Sequence, residues 1–597
     1  MEDIFKRAAQ LGLEIKYWNA FGELRAVSPE VLAKLVDALA PADAPGQSQI
    51  VRGSCEASVA PAQAYQGDAA ARRRMWALAV QLYGIRSRRN WGHGDFSDLL
   101  ALIDLAADVG AAGIGLNPLH ALFDDRAELA SPYSPNSRLF LNPLYTDVEA
   151  LPEFPGPQVA GVQRDIERLR DQRLVDYERV ARVKARALKL AHENFLRGGN
   201  TERRRAFDRF RAQRGTTLAR FACFELLRRR FASPWWDWPQ QWRTADAQSL
   251  ERLRADEGPA VEFFEFVQWA AHEQLERCRA RCAERRLPIG LYLDVAVGVR
   301  NDGFDAWCDQ KAIVSGVAIG APPDELNRGG QNWGLAAFNP IALEMQQFEP
   351  FRRMLRASMQ YSGAVRLDHV LGLQRLYLIP HRVPASEGTY IRCPFEALLA
   401  VTALTSVEQK CIVIGEDLGT VPEKFRETLA SWGVWSYQVM LFERTAGGGF
   451  VRPESYREQA LVTFATHDLP TFAAWREGRD LAVKQALAID PGESGEQRER
   501  AIEALRQAIG QRGIEASEAV EFTSVARYLA DAPSRLVVIS IEDVLRVLDQ
   551  TNVPGTINEY PNWRHRLPID VEDLRQQPGL LAVADIMRSA GRGASGA

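Results

Sequence analysis

The sequence predicts an α/β protein whose main body is a (β/α)8 TIM barrel. Eight short and nearly continuous apolar segments occur along the chain, and each ends at or near a polar or acidic residue. Amphipathic helical patterns separate several of these segments. Near-continuous apolar strands are typical of parallel sheets covered on both faces, and repeated alternation of strand and helix favours a closed barrel.

The predicted strands fall between residues 75 and 543. In chain order they are 75–83, 111–117 ending at Asn117, 289–294 ending at Asp294, 363–368 ending at Asp368, 411–417 ending at Glu416 and Asp417, 437–443 ending at Glu443, 461–468 ending at Asp468, and 536–543 ending at Glu542 and Asp543. In such a barrel the carboxyl ends of the strands face the active site. We therefore expect the acids at 294, 368, 416 and 468 to converge on one mouth.

Two of the intervening helices carry clear start and stop signals. In 95–110, apolar residues recur at helical spacing, Asp95 or Ser97 caps the start, and Gly110 ends the helix. In 420–433, Pro422 sits early and Gly433 ends the helix.

Three regions fall outside this repeat. Residues 1–70 predict a small N-terminal helical region, with a helix that starts at Ser28 and Pro29 and stops at Pro41, followed by a linker over 41–70. About 170 residues separate the second strand from the third. We expect a large, mostly helical insertion there, over approximately 125–286, within a catalytic barrel that spans 71–597. The tail SAGRGASGA is expected to be disordered.

Composition excludes several classes of function. The net charge of −4 gives no basic field that would attract nucleic acid. No uncharged apolar run is long enough to span a membrane, and the first residues lack the apolar core of a signal peptide. The seven cysteines are scattered without zinc spacing, so we expect reduced thiols and a cytoplasmic protein.

A ring of carboxylates at a barrel mouth suits either metal binding or glycoside cleavage. Only His120, His369 and His467 are placed to help hold a metal, no His-x-His spacing occurs, and no calcium-loop spacing is present. Metal binding is therefore the second choice, and no metal or cofactor is expected.

Glycoside cleavage needs one carboxylate that attacks or stabilises the reacting sugar and one protonated carboxyl that drives off the leaving oxygen. It also needs aromatic surfaces for the apolar faces of sugar rings. Trp91, Tyr133, Trp333, Trp563 and the cluster PWWDWPQQW at 234–242 are candidates.

The segment VRLDHV places Arg366, Asp368 and His369 close together in an apolar run. Unpaired buried charge is costly, so these groups either pair with one another or lie where a ligand reaches them. The segment alone leaves both explanations open.

Several motifs together resemble the 4-α-glucanotransferases called amylomaltases or disproportionating enzymes. They occur in family order from about residue 75 to 566: QLYGIRSRRNWGHGDFSDL (81–99), SPYSPNSRLFLNPLY (131–145), LYLDVAVGV (291–299), APPDELNRGGQNWGL (321–335), VRLDHV (365–370), GEDLGTVP (415–422), THDLPT (466–471), NVPGT (552–556) and EYPNWRHR (559–566).

The resemblance implies a role for each matched acid. It makes Asp368 the nucleophile, Glu416 the general acid and base, and Asp468 a third carboxylate that grips and distorts the bound sugar. Arg366 would orient Asp368, and His467 and Asp294 would bind the same sugar. A neighbouring acid, Asp417, is expected to start a helix or form an ion pair, and His369 is expected to be a core histidine.

By the same resemblance, the loop PPDELNRGGQNWG covers the cleft, and Asp324, Asn332 and Trp333 contact substrate there. Ser131, Tyr133 and Asn562 are further expected substrate contacts. Relatives have two prolines where this chain has Ala336 and Ala337, so the loop is expected to be more mobile here. No dedicated starch-binding domain is expected.

The implied reaction transfers part of an α-1,4-glucan to the 4-hydroxyl of an acceptor by a retaining double displacement. The carboxyls of Asp368 and Glu416 should then lie about 5–5.5 Å apart. The expected partners are maltooligosaccharides and α-1,4-glucans, and the protein is expected to be a monomer or homodimer. An α-glucan hydrolase of the amylase type and a catalytically dead glucan-binding protein are the alternatives, and the three intact carboxylates argue against the second.

Overall fold

The computed structural model describes residues 2–39, 62–68, 73–244, 246–324, 327–514 and 520–593. Most of the predicted linker over 41–70 lies outside the described residues, as do Pro41 and the last four residues of the predicted disordered tail. Among the described residues, no helix is both long and apolar enough to cross a membrane.

The strands are short, and most of them are buried. In chain order they are β1 (Lys16–Trp18), β2 (Leu24–Ala26), β3 (Met75–Val80), β4 (Gly113–Leu116), β5 (His120–Ala121), β6 (Ser137–Leu141), β7 (Gly290–Val295), β8 (Val299–Arg300), β9 (Val317–Ala321), β10 (Gln331–Ala336), β11 (Ala364–Leu367), β12 (Arg375–Pro380), β13 (Thr389–Arg392), β14 (Ile412–Gly415), β15 (Trp435–Val439), β16 (Ala460–Thr463) and β17 (Leu536–Ser540).

The α-helices vary from one turn to more than seven turns. In chain order they are α1 (Glu2–Gln10), α2 (Pro29–Leu39), α3 (Phe96–Asp108), α4 (Gln163–Asp171), α5 (Tyr177–Arg197), α6 (Thr201–Phe231), α7 (Gln240–Arg243), α8 (Ala247–Asp256), α9 (Gly258–Glu284), α10 (Phe304–Cys308), α11 (Pro340–Met345), α12 (Glu349–Met359), α13 (Phe395–Gln409), α14 (Phe425–Ser431), α15 (Phe472–Glu477), α16 (Arg479–Ala486), α17 (Gly495–Gly510), α18 (Phe522–Ala530), α19 (Ile541–Val544) and α20 (Pro578–Ser589).

Eight parallel strands close into a barrel in the order β3, β4, β7, β11, β14, β15, β16 and β17, and β17 pairs back with β3. Each predicted segment supplies one of these strands, so the (β/α)8 barrel is confirmed. Four predicted ends were placed too late: β3 ends at Val80, before Tyr83, and β17 ends at Ser540, because Glu542 and Asp543 belong to α19. β15 gives way to a 3-10 turn before Glu443, and β16 ends at Thr463, so that Asp468 lies on the loop beyond it.

The barrel is stable because its strands are apolar on both faces. Inside it, alternate side chains along the strands form one cluster, which includes Met75, Ile412, Trp435, Leu461 and Leu536. The outward-facing side chains pack against the surrounding helices in a second and larger cluster. This two-sided burial produces the near-continuous apolar runs of the sequence.

The predicted helix signals were mostly accurate. Asp95 caps α3 in a capping box with Asp98, and Gly110 follows its end with φ of 78°. The start predicted at Pro422 was wrong: α14 begins at Phe425, because Lys424 takes a left-handed conformation with φ of 62° and breaks the helix there.

A second sheet and an N-terminal hairpin were not predicted. Strands β13, β12, β9, β10 and β8 form a five-stranded antiparallel sheet, and β1 pairs with β2 between the two N-terminal helices. The helices α1 and α2 pack with this sheet around a separate core that includes Leu32, Leu35, Ile319 and Leu378. The N-terminal region is therefore helical as expected, but it also contains a hairpin.

The long connection between β4 and β7 is mostly helical, as expected. Helices α4 to α9 fill it from Gln163 to Glu284, after the short strands β5 and β6. This insertion reaches the C-terminal part of the chain, because Val175 N donates to Arg564 O and the Tyr177 hydroxyl donates to Trp563 O. The residue limits of 125–286 for a separate subdomain stay a prediction.

Candidate active site

Arg366 joins two carboxylates at the carboxyl ends of neighbouring strands. The strands β7 and β11 pair in register, so Arg366 lies beside Asp294. Arg366 Nη1 is 2.9 Å from both carboxylate oxygens of Asp294 and 2.8 Å from Asp368 Oδ1. Burial alone would lower the pKa of Arg366, but the charges of Asp294 and Asp368 raise it by more. The pKa of Arg366 therefore lies well above its ordinary value. Arg366 and Asp368 of the segment VRLDHV are therefore paired with each other. Arg366 also forms a buried ion pair with Asp294, as the first of the two explanations for this segment requires.

Asp368 differs from Asp294 and Arg366 because more of its side chain is exposed. It follows directly after β11, and about 20% of its side chain is exposed, against 8% for Asp294 and for Arg366. The backbone N of Asp368 donates to Val295 O, which fixes the start of this turn. Arg366 therefore holds Asp368 from behind and leaves part of the carboxylate accessible.

Glu416 stands at the end of the next strand, β14. Its Oε2 accepts a hydrogen bond from His369 N at 2.9 Å, and its Oε1 accepts one from Leu418 N at 2.8 Å. Burial and the nearby charge of Asp368 raise the pKa of Glu416, against the opposing effect of Arg366, to about 7. A carboxyl with this pKa can both donate and accept a proton near neutral pH.

An aromatic stack lies beside the Arg366 cluster. Tyr133 donates to Asp294 Oδ2 at 2.5 Å, and its ring is stacked on His467 with centroids 4.7 Å apart. Trp563 packs against both rings, at 5.4 Å from Tyr133 and 5.3 Å from His467. The stack forms a rigid aromatic wall next to the carboxylates.

Asp468 is held from two sides at the edge of this wall. His467 Nε2 lies 3.4 Å from Asp468 Oδ2, and Asn552 Nδ2 donates to Asp468 Oδ1 at 2.6 Å. Burial raises the pKa of Asp468, but the charge and hydrogen bond of His467 and the bond from Asn552 lower it, and the net direction is downward. Nearly half of the Asp468 side chain remains exposed, at 47%.

A pocket opens beside Arg366 and Asp294 and extends across the barrel mouth to Glu542 and Asp543, whereas Asp368 lines a second pocket together with His369. The first pocket encloses about 800 Å³ of space, part of it open to solvent, and its lining includes Tyr133, Asp294, Arg366 and His467. Two buried polar atoms in its lining, Tyr292 Oη and Gln81 Oε1, have no hydrogen-bond partner among the described residues. The pocket therefore offers both polar groups and space for a ligand rich in hydroxyl groups.

The predicted covering loop connects β9 and β10 of the five-stranded sheet. Trp333 reaches the site, because its ring lies edge-on to His369 with centroids 5.2 Å apart, and His369 in turn binds Glu416 through its backbone. Asn332 is exposed, and its Oδ1 accepts a bond from Gly334 N. Asp324 accepts a bond from Asn327 N at the start of the same loop.

Ser131 and Asn562 support loops at the site. Ser131 Oγ accepts a bond from Tyr133 N at 3.3 Å, which helps to fix the loop that carries Tyr133. Asn562 is buried; its Oδ1 accepts from Val553 N, and its Nδ2 donates to Thr556. Direct contact of either residue with a sugar stays a prediction.

Asp417 and His369 were expected to have structural roles, and their surroundings differ. Asp417 pairs with Arg426 at 2.8 Å and accepts bonds from Ser436 and from Tyr437 N, so its predicted role in an ion pair is confirmed. His369 was expected to be a core histidine rather than a catalyst; burial lowers its pKa, and its half-buried ring contacts Trp333 and lines a pocket together with Asp368.

Two residues near the site, Asn552 and Tyr437, were not predicted to contact substrate or to position the acids there, and Trp563 was expected only as an aromatic surface for a sugar. Asn552 binds Asp468, Trp563 completes the aromatic stack, and the ring of Tyr437 lies 5.4 Å from the guanidinium carbon of Arg366. Asn552 and Trp563 fall within the motifs NVPGT and EYPNWRHR, which were the available signals. Among the described residues, no group of three or more His, Cys, Asp or Glu side chains is arranged to hold a metal ion.

Comparison of the sequence with known proteins agrees with this geometry. Residues 80–571 match a glycoside hydrolase family (family 77) that is described as 4-alpha-glucanotransferase. The 4-alpha-glucanotransferase of Haemophilus influenzae is 35% identical over 543 residues, which cover 85% of this chain and 78% of that protein. The enzyme of the same name from Mycobacterium tuberculosis is 35% identical over 553 residues, covering 88% of this chain and 76% of that protein.

Solved structures show the same architecture. The amylomaltase of Corynebacterium glutamicum superimposes with a TM-score of 0.85 at 25% identity, covering 98% of this chain and all of that one. The amylomaltase of Streptococcus agalactiae, solved in complex with acarbose, gives a TM-score of 0.73 at 18% identity, covering 87% of this chain and all of that one, and this likeness bears on the fold alone. From the family match and the two relatives, the chain belongs to the 4-alpha-glucanotransferases, a family of enzymes.

Proposed function

We propose that this site transfers a segment of an α-1,4-glucan to the 4-hydroxyl of an acceptor glucan or glucose, with Asp368 as nucleophile and Glu416 as general acid and base. Membership of the 4-alpha-glucanotransferases supports the reaction class. The observation that carries the assignment of roles is the contrast between the two acids. Arg366 pairs with Asp368, whereas burial raises the pKa of Glu416 to about 7.

In the first step, a carboxylate oxygen of Asp368 attacks the anomeric carbon of the sugar at the cleavage point. The bond from that carbon to the glycosidic oxygen breaks, and Glu416 gives its proton to the departing oxygen. The product is a covalent glycosyl ester on Asp368, and Glu416 is left as a carboxylate. Its two backbone donors, His369 N and Leu418 N, stabilise that charge.

In the second step, Glu416 takes the proton from the 4-hydroxyl of the acceptor, and that oxygen attacks the same anomeric carbon. The ester bond to Asp368 breaks, and the enzyme returns to its starting state with the configuration retained. Asp468 and the aromatic wall would hold the sugar between the two steps. An ionised Asp468, which its lowered pKa favours, can accept hydrogen bonds from two sugar hydroxyls.

Transfer requires that a sugar reaches the intermediate before water does. Trp333 lies over His369 at the rim, where an aromatic surface can hold the acceptor and exclude water. The partners are therefore maltooligosaccharides and longer α-1,4-glucans, and Asp324, Asn332 and Trp333 would contact the acceptor.

Incubation with maltotriose tests the proposed function. We expect glucose together with a ladder of longer oligosaccharides, resolved by chromatography. Only shorter products would identify a hydrolase, and absence of any product would identify a binding protein. Trapping the intermediate with a slow fluoro-sugar donor and locating the label by mass spectrometry tests the role of Asp368, and a label on another residue would contradict it.

A further inference from the structure

We propose that the outer face of the N-terminal hairpin, formed by β1 and β2, binds α-1,4-glucan chains at a distance from the reacting bond. This inference rests on the proposed function, because it concerns the same polymer. The face consists of Trp18, Phe21 and Leu24, here called the hairpin patch.

The hairpin patch exposes large apolar side chains to solvent. Trp18 is 64% exposed, Leu24 52% and Phe21 47%. Trp18 and Leu24 are directly opposed in the antiparallel register, so their side chains lie next to each other on one face. Phe21 extends the patch at the turn. Adjoining exposed apolar side chains of this size usually mark a binding surface.

The patch is built on a fixed support. Tyr17 points to the other face, where its ring packs against Tyr377 and Tyr390 with centroids 5.9 and 5.4 Å away. At the turn, Asn19 Oδ1 accepts bonds from Phe21 N and Glu23 N. A sugar would therefore meet a surface that is already ordered, and binding would cost little conformational entropy.

The support connects the hairpin patch to the predicted covering loop. Tyr390, which touches Tyr17, lies in β13 of the five-stranded sheet, whose strands run in the order β13, β12, β9, β10 and β8. The same sheet carries Trp333 to the rim of the site through β10. A glucan that leaves the cleft over this loop would thus reach the hairpin along one continuous sheet.

The chemistry of the patch favours a neutral sugar polymer. An aromatic ring stacks on the apolar face of a glucose unit, and Trp gives the largest such surface. The one acid at the turn, Glu23, is already bound by Arg25 and Asn19, so it adds little free charge to the patch. An anionic partner would find no cluster of unpaired cations on these two strands.

The experiment compares long and short substrates in matched variants. Trp18→Ala and Leu24→Ala remove the patch, and Leu581→Ala is the control, because Leu581 is similarly exposed (46%) on α20. Binding to glycogen is measured by retardation in native gels in the Asp368→Asn background, which prevents turnover. Activity is measured on amylose and on maltotriose with the nucleophile intact.

We expect Trp18→Ala to weaken glycogen binding by about five- to tenfold and to raise the KM for amylose by a similar factor. Leu24→Ala should act in the same direction, while Leu581→Ala and all rates on maltotriose remain unchanged. Unchanged glycogen binding in Trp18→Ala, or an equal loss in Leu581→Ala, would overturn the proposal. A change from dimer to monomer in Trp18→Ala, measured by light scattering, would also overturn it, because the patch would then join two copies of the chain.

Failure of the proposed function is separate, because it would appear as absence of the maltotriose ladder in the unmodified enzyme.

Discussion

Two strands of the barrel end in the same pair of acids, yet only one pair belongs to the proposed catalytic cluster. Glu416 and Asp417 follow β14, and Glu542 and Asp543 follow β17. Glu542 accepts a bond from Ser540 Oγ at the start of α19, and Asp543 accepts one from Phe472 N. The charges of Arg366 and Asp368 instead act on Glu416 and shift its pKa in opposite directions.

The difference shows that a strand-end acid gains a catalytic role from its neighbours. Burial raises the pKa of both Glu416 and Glu542, so burial alone does not separate them. What separates them is the shared cation, because Arg366 lowers the pKa of Glu416 and pairs with Asp368, whereas hydrogen bonds and the adjacent acid act on Glu542 and Asp543. Retaining glycoside chemistry needs one ionised and one protonated carboxyl, and burial favours the protonated form of both Glu542 and Asp543.

The largest loss of activity is expected when Asp368, the carboxylate that accompanies Glu416, is removed. Asp368→Asn should lower kcat/KM for maltotriose by about 10⁴-fold or more, because no covalent ester can form. Initial rates of glucose release measure this, and thermal unfolding checks that the variant is folded. A loss of less than tenfold in a folded variant would place the nucleophile elsewhere.

A matched pair of substitutions sharpens the contrast between the two strand ends. Glu416→Gln should lower kcat/KM by about 10²- to 10⁴-fold, because it removes a general acid. Glu542→Gln makes the same chemical change at the equivalent position of β17 and should cost less than about threefold. Equal losses in the two variants would show that position in the barrel, and not the neighbouring groups, determines the effect.

The pH dependence tests which buried acid controls the reaction. Glu416 must be protonated to donate, so kcat/KM should fall as pH rises through about 7, the pKa to which burial raises it. Burial also raises the pKa of Asp543 to about 7, which makes Asp543 the rival group. We expect the Asp543→Asn variant to keep the fall of kcat/KM at high pH. If the variant loses that fall, the controlling group is Asp543 and not Glu416.

A loss smaller than those at Asp368 and Glu416 is expected for a residue that acts through Asp468. Asn552→Ala removes the donor to Asp468 Oδ1 and should lower kcat/KM by about tenfold, the typical value of a hydrogen bond to a charged group. Because the loss of this bond also favours protonation of Asp468, the acidic limb of the pH profile should move upward. A loss without that movement would indicate a purely structural role.

The barrel was predictable because the sequence of each strand shows by itself that the strand is buried. Parallel strands buried on both faces require apolar residues in nearly every position, so segments such as Ile412–Gly415 are visible one at a time. The five-stranded sheet gives no such signal. Its strands have two to six residues and pair across long separations, as in the contact of β9 with β12. The hairpin of β1 and β2 is only three residues long on each side.

The proposed site was predictable to the extent that it lies in recognisable motifs. The acids at 294, 368, 416 and 468 could be named from strand ends and resemblance together. The partners of these acids could not, because Asn552 and Trp563 come close to Asp468 and Tyr133 only through folding. The separation of about 5–5.5 Å between the carboxyls of Asp368 and Glu416 stays a prediction.

The bond from Tyr177 to the carbonyl of Trp563 has a consequence for how the enzyme matures. These residues are 386 positions apart, and the neighbouring bond from Val175 to Arg564 spans a similar length of chain. Contacts between such distant segments carry a large loop-closure cost and form late in folding. Recovery of activity after dilution from denaturant should therefore lag behind recovery of helical signal. A nascent chain that stops shortly before Trp563 would carry every acid of the proposed site and remain inactive.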